Sequence, residues 1–162
     1  QVSVGLVYDP VRQECFSAAK NSGLRINGQK NPSLPQPAAL KQCLASVDFK
    51  RLQTPVKQRL LEQMPFKSQR NIGTCALEWA WLAAGRTQLL LHGGEKLWDY
   101  AAGSLILLEA GGSAVTLDGG PVFSPTLQPR SAAAALDPAL FKQWTQWLQI
   151  PAGEKNSTAT PE

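Results

Sequence analysis

The sequence is short of the residues from which many sites and scaffolds are built. Its three cysteines, Cys15, Cys43 and Cys75, are odd in number, widely spaced and set among small or apolar neighbours. That excludes the disulfide framework of a small secreted scaffold and points to reduced, partly buried thiols in a reducing, cytoplasmic compartment. No apolar run approaches the roughly 20 residues of a membrane-spanning helix. No charged segment followed by an apolar stretch marks secretion. Basic residues outnumber acidic ones by 16 to 12, but they are scattered. Without a basic stripe interleaved with aromatics, a nucleic-acid surface is not expected. Histidine occurs once, as His92, and no internal repeat is visible.

What is present suits one globular domain, since 162 residues fall within the usual range of about 100–200 per domain. Val2 to Tyr8 reads as a strand closed by Asp9-Pro10, with Glu14 to Ala18 as its hairpin partner. Leu24 to Ile26 follows, then Asn27-Gly28, a strong type I′ turn signal. Residues 1–30 are therefore expected to be antiparallel strands of an incomplete sheet. Prolines 32, 35 and 37 make 31–37 a loop that cannot join a ladder.

Residues 38–152 read as an α/β region. A short strand is expected within Gln42 to Phe49, then a helix from Thr54 to Gln63 with Thr54 as N-cap and Pro55 in its first turn. A strand within Phe66 to Asn71 precedes a helix from Thr74 to Ala84, with Leu77, Ala80, Trp81 and Ala84 on its inner face and Gly85 closing it. Gln88 to His92 reads as a strand and Gly93-Gly94 as a turn. A helix from Trp98 comes next, striped by Trp98, Ala101, Ala102, Leu105 and Leu108 and stopped by Gly111-Gly112. Val115 to Leu117 and Ser131 to Leu136 read as strands on either side of a loop at 121–129. Asp137-Pro138 opens a last helix with Leu140, Phe141, Trp144 and Leu148 inward. The polar tail 153–162 is expected to be disordered. The chain starts at Gln1 rather than Met and runs straight into a strand, so it is expected to be a trimmed product or a piece of something longer.

Two helix starts carry the chemistry. Asp99 lies in the first turn of the Trp98 helix, where it can cap the helix or turn a carboxylate toward a bound cation. Mg²⁺ takes oxygen ligands, usually one or two carboxylates with waters and phosphate oxygens, so Asp99 would be one member of such a site. Gly73-Thr74-Cys75 opens the other helix, either as a plain glycine turn before a threonine N-cap or as amides that meet an anion. His92 is a strand-end histidine with a satisfied ring, a catalytic base or, as a lesser option, a phosphate contact.

The run from Arg70 to Arg86, with Gly73-Thr-Cys-Ala76, and the run from Leu97 to Gly112, with Trp98-Asp-Tyr-Ala-Ala-Gly103 and Glu109-Ala-Gly-Gly112, resemble the C-terminal signature of the inositol monophosphatase family. Gly5 to Phe16 and Asn27-Gly28 resemble that family's preceding hairpins, so the likeness spans about Gly5 to Ile150. It implies a layered α-β-α-β-α sugar-phosphatase fold, of which this chain would be the C-terminal portion, and Mg²⁺-dependent hydrolysis of a phosphate monoester. It further implies that Asp99 is a metal ligand near the substrate and that Gly73, Thr74 and Cys75 contact the substrate. His92 falls near the place where animal members carry a substrate-binding glutamate. Homodimers are common in the family.

The family's other metal ligands, a glutamate and an Asp-Pro-x-Asp-Gly-Thr motif, precede its hairpins. No such motif occurs in this sequence: Asp9-Pro10 continues as Val11-Arg12, and Asp137-Pro138 as Ala139-Leu140. The leading expectation is a phosphatase of inositol or sugar phosphates that is incomplete as this chain alone. Substrates such as 3′-phosphoadenosine 5′-phosphate or fructose 1,6-bisphosphate fit the same class. The alternative is an inactive, truncated homologue that serves as a binding or dimerising module.

Overall fold

The computed structural model describes residues 2–31 and 35–151. The first sheet is an antiparallel meander of β1 (Val4–Asp9), β2 (Glu14–Ala19), β3 (Leu24–Ile26) and β4 (Gln29–Lys30), in that spatial order. Asn27 and Gly28, both at positive φ, join β3 to β4 as the two-residue turn that the sequence predicts. Along β1 burial alternates strictly, which leaves Val4, Leu6 and Tyr8 on an open face and turns Val7 inward.

The second sheet has five strands in the order β6-β5-β7-β9-β8: β5 (Leu44–Asp48), β6 (Ser68–Arg70), β7 (Leu89–Glu95), β8 (Ser113–Val115) and β9 (Arg130–Ala135). β5 runs parallel to β6 and β7, whereas β9 is antiparallel to β7 and β8. Helices α2 (Cys75–Ala83) and α3 (Leu97–Glu109) lie between the two sheets. The core there joins Phe16 and Leu24 of the meander to Trp79, Leu82, Ile106 and Leu107 of the helices and Leu90 of β7. Helices α1 (Thr54–Glu62) and α4 (Pro138–Leu148) cover the outer face, where Leu60, Phe66, Leu89, Leu91, Leu140 and Trp144 form a second core. Trp144 stacks on Trp147 and donates its indole N–H to the Leu90 carbonyl at 3.2 Å. The layers thus run sheet, helices, sheet, helices, and β7 is buried on both faces. Its continuous Leu89-Leu90-Leu91 run is what such a strand requires.

Several local expectations need correction. Gly93 and Gly94 are not a turn; they lie inside β7, at a register shift between His92 and Glu95. A Cβ on Gly93 would come within 2.1 Å of the Arg51 backbone, so the crossing loop requires glycine there. Trp98 and Leu108 do not face the core: they are 68% and 58% exposed. Because α3 is wedged between the meander and α2, its buried side is built instead from Tyr100, Gly103, Ser104, Leu105, Ile106 and Leu107. In α1 the N-cap is Gln53, whose carbonyl accepts from Val56 and Lys57, so Thr54 already lies inside the helix. β8 starts at Ser113, earlier than predicted, because Thr116 to Gly120 close into a turn. The tail predicted to be disordered, 153–162, lies outside the described residues.

One carboxylate ties the meander to α3. Glu109, the last residue of the helix, accepts the backbone N–H groups of Asn21, Ser22 and Gly23 at 2.8–2.9 Å. These amides hold its pKa below the ordinary carboxylate value.

Candidate functional site

Three elements meet at the carboxyl end of β7. Strand alternation turns Leu89 and Leu91 toward α4, and Leu90 and His92 toward α2. The same alternation would turn Glu95 toward α4 with Leu91. The bulge at Gly93-Gly94 reverses this and brings Glu95 back beside His92, with its Oε1 3.5 Å from Nδ1. Cys75, the first residue of α2, puts Sγ 3.8 Å from the same nitrogen. One turn further along α2, Glu78 Oε2 accepts the His92 Nε2–H at 2.7 Å.

Both carboxylates of the cluster are held from behind. Ile72 N–H donates to Glu78 Oε1 at 2.8 Å, and Trp79 Nε1–H donates to both Glu95 oxygens at 3.0 and 3.1 Å. Glu78, His92 and Glu95 are almost entirely buried, whereas Cys75 is half-buried at the rim.

Two glutamates around one imidazole make an electrostatic conflict. Burial works against a charged ring, but the contacts with Cys75 and Glu78 and the charge of Glu95 outweigh it and raise the His92 pKa to about 10. Burial dominates at Glu95 and raises its pKa to about 7, against the pull of His92 and the Trp79 N–H. Both shifts favour the protonated form, a cationic ring at His92 and a carboxyl at Glu95 that ionises less readily than an exposed one.

The residues singled out in the sequence fall into two groups. Cys75 and His92 are brought into contact. Gly73 and Thr74 are exposed on the approach to α2, where the Gly73 N–H donates to Asn71 Oδ1 at 2.8 Å and Thr74 is the N-cap without a side-chain cap bond. Asp99 acts as a cap: its Oδ2 accepts the Lys96 N–H at 2.8 Å. Its charge nevertheless reaches the cluster and adds to the repulsion felt by Glu95.

Glu78, Trp79 and Glu95 were not among the candidates. The His92-Gly-Gly-Glu95 spacing was the available signal, but on a regular strand it separates the two side chains. Two glycines where a buried strand should continue were the hint that the spacing is not regular.

The described residues alone do not complete a Mg²⁺ site. Cys75, His92 and Glu95 are the one group of three or more His, Cys, Asp and Glu side chains among them that is placed to share an ion. A thiol and an imidazole are not the hard oxygen donors that Mg²⁺ takes, and around Asp99 no second carboxylate joins such a group. A cleft of about 620 Å³ lies elsewhere. It opens at the C-terminal ends of α2 and α3, beside Ala84, Glu109 and Gly111.

No helix among the described residues is long and apolar enough to cross a membrane. The family model for the inositol monophosphatase family matches residues 1–149. The chain is 34% identical over 130 residues to the Nus factor SuhB of Pasteurella multocida, covering 74% of this chain and 46% of that protein. It is 33% identical over 157 residues to inositol monophosphatase 1 of Solanum lycopersicum, covering 91% and 55%. Among solved structures, inositol monophosphatase-II from Staphylococcus aureus MSSA476 superimposes with a TM-score of 0.80 at 24% identity, over 92% of this chain and 56% of that one. The SuhB protein of Bartonella henselae gives 0.77 at 25% identity, over 92% and 58%. The chain spans about half the length of the curated relatives it matches. By the match along nearly its whole length, the chain belongs to the inositol monophosphatase family.

Proposed function

We propose that this chain is the C-terminal part of a Mg²⁺-dependent phosphomonoesterase acting on an inositol phosphate or sugar phosphate in the cytoplasm. The observation that carries the reading is the meeting of Cys75 and His92 where α2 starts against the carboxyl end of β7, with α3 opening just beyond it. Helix starts favour anions, because amide N–H groups and the helix dipole point toward them. The amides of Thr74 and Cys75 at the start of α2 would bind the phosphate, Gly73, whose own N–H is held by Asn71 Oδ1, would shape the turn that presents them to the substrate, and cationic His92 would add a positive charge close by. Asp99 would lend one carboxylate to Mg²⁺, which in such enzymes activates water and neutralises the phosphate. The other ligands are not among the described residues. This chain's own share is therefore binding and orientation, and alone it should hydrolyse little.

Calorimetric titration with Mg²⁺, of this chain and of a form extended N-terminally by an acidic metal motif, tests the proposal. Weak or absent binding by the first and clear binding by the second is expected. If the short chain turns over inositol monophosphate briskly with Mg²⁺, and Asp99→Asn abolishes this, the claim that it is inert alone fails. If the extended form neither binds Mg²⁺ nor releases phosphate, the phosphatase reading fails.

A second reading, an inactive binding or dimerising module, is favoured by β1. This edge strand leaves Val4, Leu6 and Tyr8 more than half exposed in a row. Sedimentation analysis would support it if a dimer forms and Leu6→Lys dissociates it. A monomer at all concentrations would count against it.

A further inference from the structure

We propose that Cys75 Sγ, His92 Nδ1 and Glu95 Oε1 form a binding site for Zn²⁺ or a similarly borderline-soft divalent ion, distinct from any oxygen-ligand site at Asp99. Their donor atoms all lie within 4.8 Å of one another. Bond lengths of about 2.3 Å to sulfur and about 2.0 Å to nitrogen and oxygen in a tetrahedron put S about 3.5 Å from both N and O, and N and O about 3.3 Å apart. The separations in this chain are 3.8 Å for Cys75 to His92 and 3.5 Å for His92 to Glu95. These two edges need contraction by a few tenths of an ångström at most, and the Cys75 to Glu95 edge, which lies within 4.8 Å, closes by up to about 1.3 Å as the half-buried Cys75 side chain turns inward.

The surroundings argue for a site and not for a chance cluster. A ligating histidine usually donates its other N–H to a carboxylate, which fixes the ring and its tautomer. His92 does so with Glu78, which is itself held by the Ile72 amide. Glu95 is oriented by the Trp79 indole through both of its oxygens. Both partners are buried, so neither competes for water. Three protein ligands leave one position open for water or an anion's oxygen, and half-buried Cys75 puts the rim of the cluster within reach of solvent. The donor set of one thiolate, one imidazole and one carboxylate selects Zn²⁺ over Mg²⁺. The ion needs a thiolate, a neutral imidazole nitrogen and an ionised carboxylate, so its binding displaces protons and strengthens as pH rises.

Co²⁺ serves as the probe, because thiolate ligation gives it a charge-transfer band in the near ultraviolet and tetrahedral geometry gives it intense visible bands. The full chain should take up one equivalent with both signatures. Zn²⁺ should displace it, and about a hundredfold excess of Mg²⁺ should not. Cys75→Ser should lose the charge-transfer band. Glu78→Gln, which keeps all three ligands, should weaken Co²⁺ binding by about 10–100-fold while leaving the bands in place. Circular dichroism checks that both variants are folded. The proposal is overturned if the full chain shows no such band, if the band persists in folded Cys75→Ser, or if Mg²⁺ displaces the ion. These spectra are independent of phosphate hydrolysis, so a negative result leaves the phosphatase reading intact.

Discussion

Glu95 and Glu109 flank α3 at its two ends and are held by opposite means. Glu109 sits at the water's edge and collects three backbone N–H groups, which favour its charge. Glu95 is sealed in with a second glutamate nearby, has the Trp79 indole as its hydrogen-bond donor and depends on His92 for a countercharge. The first arrangement fastens two layers together. The second stores an unresolved competition for protons, and such competition is characteristic of sites that take up protons or ions.

The contrast depends first on the bulge in β7. Gly93→Ala should destabilise the protein by about 3 kcal/mol or more, because the new methyl meets the backbone of Arg51 and not a side chain that can swing aside. Denaturant unfolding measures this, and a loss below about 1 kcal/mol would show that the crossing yields easily.

The pH dependence of stability sharpens the contrast next. Both Glu95 and His92 have pKa values raised by folding, so the stability they contribute is full below their unfolded values and is lost as pH rises. For Glu95 the loss spans about pH 4.5 to about 7, and for His92 about 6.5 to about 10. Metal-free protein should lose a few kcal/mol across the combined window, and Glu95→Gln should flatten its acidic part. Glu109 has the opposite sign: its depressed pKa gives stability that is present above the unfolded value near 4.5 and is lost on acidification. An unchanged slope in Glu95→Gln would remove Glu95 from the account.

Trp79→Phe keeps the ring and deletes the N–H, leaving Glu95 without that donor. A loss of about 1–3 kcal/mol is expected, largest at high pH where the carboxylate is charged. Glu109→Gln, at the solvated end, should cost about 1 kcal/mol, since water can replace part of what is lost. Leu108→Ser should change stability by less than about 0.5 kcal/mol, because that side chain is mostly exposed. A loss near that of a core leucine would restore the inward stripe predicted for α3.

The sequence foretold most of the elements and misjudged some of their faces, and both outcomes have physical causes. Turn chemistry is local, so Asn27-Gly28 was readable. So was Asp137-Pro138, where the Asp137 side chain accepts the Leu140 N–H as the N-cap of α4. Facing depends on neighbours. An α3 covered by the meander on one side and α2 on another has a broad buried arc, so a narrow stripe through Trp98 and Leu108 was a poor guide. Among the site residues, Cys75 and His92 stood out because helix starts and a lone histidine are visible in sequence. Glu95 was hidden by period-two alternation, which the bulge breaks. Glu78 was hidden because α2 is buried on nearly every side and its polar member cannot be separated from its apolar ones by periodicity.

β7 also bears on the order of folding. The meander pairs segments that are close neighbours along the chain, so its hairpins can close early and quickly. β7 must instead recruit β5 from before α1 and β9 from after α3, and pairing over such separations is slow. The bulge lies where β7 pairs with β9, so the meeting of His92 and Glu95 is expected to follow the closing of the meander. In refolding experiments, a late near-ultraviolet phase that Trp79→Phe removes would mark that step.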